Sequence, residues 1–277
     1  MSAYKWQDAN ELLGTLVAKP RFGLFSDLDG TLSSIAPTPE AAQITQRNRE
    51  LLAELQKLLP LVAIISGRRA DNVRQLVRLS GIVYVGNHGL ERWVEGSVQV
   101  IPEALPYLRG IQAARKDLEK ISEPGVYIED KGPTLSFHYR QTAKPIAFAR
   151  NHAASLAQIA GENKLELFTG KMVFEFRPPV AMHKGIAFRR LVEEKRIDAA
   201  LFLGDDVSDL NAFRAARQMR ADKFCDAWGV GVQSGWEPPA EEAPDALLDT
   251  ADFLANGVED VEDLLSWLLK ARRASST

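Results

Sequence analysis

Two aspartates separated by one residue follow an apolar run near the start of the chain, within the sequence Asp27-Leu28-Asp29-Gly30-Thr31. A strand that ends in Asp27 would point a carboxylate beyond the sheet, and Gly30 permits the sharp turn that brings Asp29 beside it. One carboxylate could attack phosphorus as a nucleophile while the other protonates a departing alkoxide. The structural alternative is a simple Asp-Gly turn in which Thr31 caps a helix.

Two further segments carry groups that suit an anion. Ser66-Gly67-Arg68 follows a second apolar run, where a hydroxyl and backbone N–H groups could hold a phosphoryl oxygen at a helix N-terminus. Lys184 begins a predicted helix, a position that is unfavourable for a cation unless an anion faces it. The structural alternatives are an ordinary N-cap serine and a solvated surface lysine.

Three acids follow a third apolar run and suggest a metal. Asp205, Asp206 and Asp209 lie within five residues of one another. Carboxylates placed together at a strand end repel one another unless a hard cation joins them, and Mg²⁺ is the obvious candidate.

The elements that position these groups are predicted to be buried parallel strands with helices between them. Continuous rather than alternating hydrophobicity is typical of strands covered on both faces, and it marks three runs: Phe22–Phe25, Leu61–Ile65 and Ala200–Leu203. The fold class is therefore α/β, a doubly wound Rossmann-like sheet whose ligands lie beyond the carboxyl ends of the strands. Gly229-Val230-Gly231 is interpreted as a strand-end turn, because its spacing does not fit a dinucleotide loop.

The middle of the chain has a different pattern. Helix, two strands, helix and two strands follow one another there, which predicts an antiparallel α+β cap domain inserted into the α/β core. We place the cap domain at residues 108–182 and the core at residues 1–107 and 183–277.

Composition limits the remaining possibilities. Hydrophobic residues make up 45% and charged residues 26%, which is typical of a globular protein, and the net charge of -3 gives no footprint for nucleic acid or membrane. The single cysteine, Cys225, cannot form an internal disulfide, and the first twenty residues lack the apolar core of a signal peptide. We expect a cytoplasmic monomer whose partner is a small molecule.

The order of the motifs, D-x-D-G-T, S-G-R, K-G and G-D-D-x-x-D, resembles the four-motif signature of haloacid dehalogenase (HAD) superfamily phosphatases. The resemblance implies that Asp27 is the nucleophile and Asp29 the general acid and base, and that Ser66, Gly67 and Lys184 bind phosphate. It implies a Mg²⁺ cofactor, with Asp206 and Asp209 binding directly or through water, and the metal ligands would be Asp27, Asp29 (through its carbonyl), Asp205, Asp206 and Asp209. A phosphomutase of this superfamily would keep the same acid, Asp29, so a phosphomutase is an alternative to a phosphatase.

A closer resemblance is to trehalose-6-phosphate phosphatases, through Gly86-Asn87-His88-Gly89, Phe137-His138-Tyr139-Arg140 and Glu175-Phe176-Arg177-Pro178. It implies hydrolysis of trehalose 6-phosphate, with sugar-binding residues on the cap domain. The implied substrate-binding residues are Arg68, Asn87, His88, Glu129, Lys131, Arg140, Lys171 and Glu175. The cap charges could instead face solvent.

One departure from that family concerns the fourth motif. The family usually continues it with an acidic T-D-E-D run, where this chain has Ser208-Asp209-Leu210-Asn211. Another phosphosugar, such as a glucosylglycerol, sucrose or mannosylglycerate phosphate, is therefore an alternative substrate. A catalytically silent sugar-phosphate-binding domain is the alternative of a different class.

Overall fold

The computed structural model describes residues 4–35, 42–170, 172–233, 247 and 249–275. It divides into two compact units, Met1–Ser97 with Met182–Thr277, and Val98–Ala181. The second unit begins ahead of the predicted cap boundary at residue 108, and it includes a 3-10 helix, Pro102–Tyr107, before the first cap helix.

The first unit is built on a mostly parallel sheet. Its strands are β1 (Tyr4–Lys5), β2 (Phe22–Ser26), β3 (Leu61–Ile65), β4 (Val83–Gly86), β5 (Glu91–Val94), β11 (Ala199–Gly204), β12 (Asp226–Val232) and β13 (Phe253–Ala255), and β6 (Ser97–Val100) begins at the residue where the first segment of this unit ends. The spatial order is β1-β13-β12-β11-β2-β3-β4-β5-β6, and the pairing is parallel from β1 to β4 and antiparallel between β4 and β5. The chain leaves β2 towards β3 and later returns to its other side as β11, so the order reverses at β2, where such sheets bind ligands.

Helices cover both faces of this sheet. They are α1 (Asn10–Ala18), α2 (Gln46–Leu58), α3 (Ala70–Val77), α6 (Lys184–Lys195), α7 (Leu210–Ala221) and α8 (Gly257–Ser275). Alternate strand residues enter separate cores: Leu24 and Leu201 pack with α1, α2, α3 and α8, while Phe25 and Phe202 pack with α6 and α7. The three predicted strands are buried along their whole length, which confirms the α/β class.

One sequence interpretation of this unit is wrong. Gly229-Val230-Gly231 is not a turn but the middle of strand β12. The reason is packing, since a Cβ at Gly229 would lie 2.4 Å from the ring of Phe213 in α7. The glycine therefore lets a helix approach the sheet closely.

The second unit is an antiparallel sheet with two helices. Strands β7 (Tyr127–Asp130), β8 (Leu135–His138), β9 (Glu166–Gly170) and β10 (Val173–Arg177) lie in the order β7-β8-β10-β9. Helix α4 (Leu108–Leu118) precedes β7, and α5 (Pro145–Glu162) connects β8 to β9. Phe137, Phe174 and Phe176 form its core with residues of both helices. In the opposite set of alternating positions, Glu129, Ser136 and Glu175 are register partners in one row across the sheet.

Among the described residues, no helix combines the length and apolar character needed to span a membrane. Cys225, the single cysteine, is buried at the start of β12.

Two glycines give a matched test of the packing between α6 and α7. A Cβ at Gly185 would lie 2.2 Å from the backbone oxygen of Asn211, whereas a Cβ at Gly14 in α1 would meet nothing within 4 Å. We expect Gly185→Ala to lower the free energy of unfolding by about 1–3 kcal/mol through overpacking. Gly14→Ala should raise it by about 0.5–1 kcal/mol through helix propensity. Urea denaturation measures both, and an unchanged stability of Gly185→Ala would contradict the close contact.

Candidate active site

Asp27 directly follows strand β2, at the edge of the sheet where the strand order reverses. Its backbone N–H donates to Leu203 of β11 at 2.8 Å, which continues the pairing of the two strands beyond β2. The side chain is 7% exposed. Its Oδ1 atom is buried and has no hydrogen-bond partner among the described residues, so this oxygen has an unused bonding capacity in a place shielded from water.

Lys184 lies between two carboxylates. Its Nζ atom is 2.9 Å from Asp27 Oδ2 and 2.8 Å from Asp209 Oδ1, and its side chain is 2% exposed. Burial lowers the pKa of Lys184, but the two neighbouring carboxylates more than reverse this, so the pKa lies above its usual value and the ammonium stays charged. The prediction that a helix begins at Lys184 is confirmed, and His183 caps that helix by accepting from the N–H of Ile186.

Burial also dominates the behaviour of Asp27. It raises the pKa of this carboxyl well above its usual value, although the nearby Lys184 ammonium opposes the shift. The charges of Asp209 and Asp205 act in the same direction as burial. An added cation would favour the ionised form by removing that repulsion.

Asp209 uses both of its oxygens within the protein. Oδ1 accepts from Lys184, and Oδ2 accepts from the backbone N–H groups of Asp205 and Asp206 at 3.2 and 3.1 Å. Asp206 in turn accepts from the N–H of Val207 at 2.6 Å, and it forms a reciprocal capping box with Asp209 at the 3-10 helix Val207–Asp209. These bonds fix the loop after β11.

A glycine makes room for the remaining acid. Gly30 has a φ of 76°, and a Cβ there would lie 1.9 Å from Asp205 Oδ2. Asp205 also accepts a 3.3 Å hydrogen bond from the Thr31 hydroxyl. The D-x-D-G-T turn thus leaves space for the carboxylate of the fourth motif.

Three carboxylates can converge on one cation. Among the described residues, Asp27, Asp205 and Asp209 offer oxygen atoms that lie within 4.8 Å of one another. A set of carboxylate oxygens next to a buried, unpaired oxygen suits a hard cation such as Mg²⁺. The side chain of Asp206 is not part of this set, and the remaining predicted ligand is the backbone carbonyl of Asp29.

Ser66 and Arg68 organise the loop after β3. The Ser66 hydroxyl is buried and accepts from the N–H of Arg68 at 3.2 Å, and α3 begins only at Ala70. The Arg68 guanidinium donates two hydrogen bonds to the Asp29 carboxylate, from Nε to Oδ2 at 2.6 Å and from Nη2 to Oδ1 at 2.8 Å. The sequence did not predict this pair of Arg68 and Asp29.

Asn87 and His88 form a strained turn over that loop. Both have left-handed backbone angles, with φ of 48° and 56°, which are uncommon outside glycine. Their N–H groups donate to the carbonyls of Arg68 and Ser66 at 2.8 and 2.9 Å, and a Cβ at Gly67 would lie 2.7 Å from the His88 ring. The structure therefore brings five predicted residues, 66, 67, 68, 87 and 88, into one assembly.

The second unit holds the other predicted residues on its own sheet. Glu129 is 3.1 Å from His138 Nε2 and 3.6 Å from Lys131 Nζ. Burial raises the pKa of Glu129, but the His138 hydrogen bond and the Lys131 charge outweigh it, so the net shift is downward. Glu175 pairs with Arg177, whose guanidinium also lies 4.9 Å from the ring of Phe168.

Arg140 and Lys171 are the other two predicted cap residues. Arg140 lies in an exposed turn after β8, and Lys171 lies outside the described residues. The partners His138 and Arg177 were not predicted. The cross-strand placement of Glu129 and His138 would have indicated the first of them, since both point to the same face of a hairpin.

The fold is that of HAD-like hydrolases. A HAD-like hydrolase from Bacteroides thetaiotaomicron superposes with a TM-score of 0.58 at 16% identity, covering 90% of this chain and 99% of that one. The C-terminal domain of C. albicans trehalose-6-phosphate phosphatase superposes with a TM-score of 0.72 at 23% identity, covering 98% of both chains.

The chain belongs to the trehalose-phosphatase family, whose model matches residues 25–233. The trehalose-phosphate phosphatase of Mycobacterium marinum is 35% identical over 207 residues, which cover 71% of this chain and 52% of that protein. The chain thus spans about half the length of the first curated relatives that it matches.

Magnesium should stabilise the folded protein. A cation that binds only the native carboxylate cluster raises the thermal midpoint with increasing concentration. We expect Asp205→Asn to remove most of this effect, and Asp198→Asn to keep it, because Asp198 is an exposed acid at the opposite end of β11. Differential scanning fluorimetry with MgCl₂ at constant ionic strength measures the shift. Equal shifts in the two variants would refute the site.

Proposed function

We propose that this protein is a Mg²⁺-dependent phosphatase that hydrolyses trehalose 6-phosphate to trehalose and phosphate through an aspartyl-phosphate on Asp27. The observation that carries the proposal is the arrangement around Asp27: a buried carboxylate with one unpaired oxygen, held by the Lys184 ammonium beside two further acids. Membership of the trehalose-phosphatase family supports the substrate.

The first step forms a bond between an Asp27 oxygen and phosphorus and breaks the bond from phosphorus to the sugar oxygen. Lys184 and Ser66 hold the phosphoryl oxygens, and Asp29 protonates the departing sugar alkoxide. In the second step Asp29 takes a proton from water, which attacks phosphorus and releases Asp27. The same side chain thus serves as acid and then as base.

Arg68 restricts this role of Asp29. Its guanidinium donates to both Asp29 oxygens. A bidentate arginine uses both carboxylate oxygens as hydrogen-bond acceptors, so the pair must open before an Asp29 oxygen is available for proton transfer. Phosphate competes for the same guanidinium, so the substrate itself could open the pair.

The metal would be held by Asp27, Asp205 and the backbone carbonyl of Asp29, with Asp206 and Asp209 as direct or water-mediated partners. When bound, Mg²⁺ reduces the repulsion between the phosphate and the attacking carboxylate. Since both Asp209 oxygens already accept hydrogen bonds, we favour a positioning role for this residue.

Phosphate release from a panel of phosphosugars with Mg²⁺ tests the activity. We expect turnover of trehalose 6-phosphate, loss of turnover to background in Asp27→Asn, and loss on chelation that added Mg²⁺ reverses. Asp29→Asn should slow alkyl phosphates far more than p-nitrophenyl phosphate, because p-nitrophenolate leaves without a proton.

Three other outcomes would change the proposal. Retained activity in folded Asp27→Asn excludes the covalent mechanism. If glucosylglycerol, sucrose or mannosylglycerate phosphate is hydrolysed and trehalose 6-phosphate is not, the proposed substrate is wrong and the proposed phosphatase mechanism stands. Binding without turnover of any ester would identify a silent sugar-phosphate-binding domain.

Specificity for the sugar is proposed to lie with Glu129, Lys131 and Glu175. Carboxylates accept hydrogen bonds from sugar hydroxyls and ammonium groups donate to them, which suits a polyol. Glu129 and Glu175 are two strands apart in one row, so about 10 Å separates their backbones. That spacing is comparable with the length of a disaccharide.

We expect Glu129→Ala, Lys131→Ala and Glu175→Ala each to lower kcat/KM for trehalose 6-phosphate about ten- to a hundredfold, the effect of losing a charged hydrogen bond of roughly 1.5–3 kcal/mol. The rate with p-nitrophenyl phosphate should stay near that of the unmodified protein. Glu123→Ala, an exposed acid ahead of β7, serves as the control. Unchanged kcat/KM for both substrates would identify the three charges as solvated surface groups.

Two finer properties remain predictions from the sequence, a cytoplasmic location and a monomeric state. Size-exclusion chromatography with light scattering tests the second.

A further inference from the structure

Glu91 is a buried carboxylate outside the four motifs. It is the first residue of β5 and is only 1% exposed. Its Oε1 atom accepts from the backbone N–H of Ala70, the first residue of α3, at 2.7 Å. The Asn87 side chain donates to the same carboxylate. A charged group this far from water is costly unless hydrogen bonds satisfy it, so these contacts specify its position.

The contact with Ala70 caps a helix from another element. The first N–H groups of a helix lack intrahelical partners, and Arg69, the N-cap residue of α3, makes no side-chain capping bond. Glu91 supplies the missing acceptor, and its negative charge lies at the positive end of the helix. The loop 66–69 is therefore anchored at its far end by a residue that lies 21 positions further along the chain.

Glu91 also meets the turn after β4. A Cβ at Gly86 would lie 2.3 Å from Ala70 N, and 2.7 Å from both Arg68 O and Glu91 Oε1. Three segments thus converge where Gly86 leaves no room for a side chain. The strained residues Asn87 and His88 follow immediately, and such backbone angles persist only when the surroundings enforce them.

We infer that Glu91 is a positioning residue that ties the loop 66–70 to the turn 86–89. It thereby fixes the Ser66 hydroxyl and places the His88 ring over Gly67. That the positioned loop binds phosphate rests on the proposed function; that Glu91 holds the loop and the turn together does not.

The test compares Glu91→Ala and Glu91→Gln with a matched control, Tyr84→Phe. Tyr84 is a buried residue of neighbouring strand β4, and its hydroxyl donates to Leu79 O at 2.6 Å, beyond the other end of α3. The control removes two part-buried hydrogen bonds between the Tyr84 hydroxyl and the backbone of Leu79, in the same part of the sheet, and leaves the loop and the turn untouched. Glu91→Asp, whose shorter side chain retracts the carboxylate, replaces Glu91→Ala if the latter does not fold.

Amide hydrogen exchange gives the first result, at denaturant concentrations that equalise global stability. We expect Glu91→Ala to speed exchange in residues 66–70 and 86–90 about tenfold or more relative to Tyr84→Phe, the effect of losing a charge-assisted hydrogen bond. Glu91→Gln should recover most of the protection, since its amide oxygen can accept from Ala70. Exchange no faster than in Tyr84→Phe overturns the inference.

Kinetics give the second result. With p-nitrophenyl phosphate and Mg²⁺, Glu91→Ala should lose about tenfold or more in kcat/KM and bind inorganic phosphate more weakly, while Tyr84→Phe stays within about twofold and Glu91→Gln is intermediate. If the unmodified protein hydrolyses no phosphate ester, the proposed function fails and hydrogen exchange alone decides the inference about Glu91. Faster exchange with unchanged kinetics in an active enzyme overturns the link between Glu91 and the phosphate loop.

Discussion

The buried ammonium of Lys184 holds the ends of three elements together. Asp27 follows β2, Asp209 lies after β11, and Lys184 begins α6, so two ion pairs close the edge at which the sheet order reverses. Burying charges costs several kcal/mol per ion, and removing one partner from such a cluster leaves an uncompensated charge behind. These ion pairs are therefore weak evidence that the cluster stabilises the fold. Buried charges with strongly shifted pKa values are instead typical of functional sites.

The charge balance of this cluster explains why a divalent cation suits it. When ionised, Asp27, Asp205 and Asp209 carry three negative charges, and Lys184 carries one positive charge, which leaves two negative charges in a shielded space. Without a cation, burial raises the pKa of Asp27 and disfavours the form that could act as a nucleophile. A bound Mg²⁺ would restore neutrality and the reactive form together.

The sequence predicted much of this because its signals are local. Long buried strands appear as continuous apolar runs, and a lysine at a helix start is informative because it is electrostatically unfavourable there without an anionic partner. The pairing of Asp209 with Lys184 was not predictable, because it depends on how loops from distant parts of the chain meet. Gly229 was misinterpreted for the same reason, since the need for glycine arises from the ring of Phe213 in another element. Glu91 gave no signal, because a carboxylate that starts an exposed-looking strand resembles any surface acid.

The site shows two different uses of charged hydrogen bonds. Asp209 accepts from Lys184 and from backbone N–H groups, and Glu91 accepts from the backbone N–H of Ala70 and from the Asn87 side chain, contacts that hold loops in one conformation. Asp29 instead accepts from a side chain, Arg68, at the more exposed part of the site. A pair of side chains can separate without moving the backbone, whereas breaking the Asp209 contacts would release the loop after β11. The proposed acid is thus the one carboxylate of the D-x-D pair whose partner a phosphate could remove, while the proposed nucleophile stays locked to Lys184. The fixed contacts of Asp27 and the separable partner of Asp29 suit the two proposed roles. In-line attack requires a nucleophile in a fixed position, and proton transfer requires an acid that can release and take up a proton.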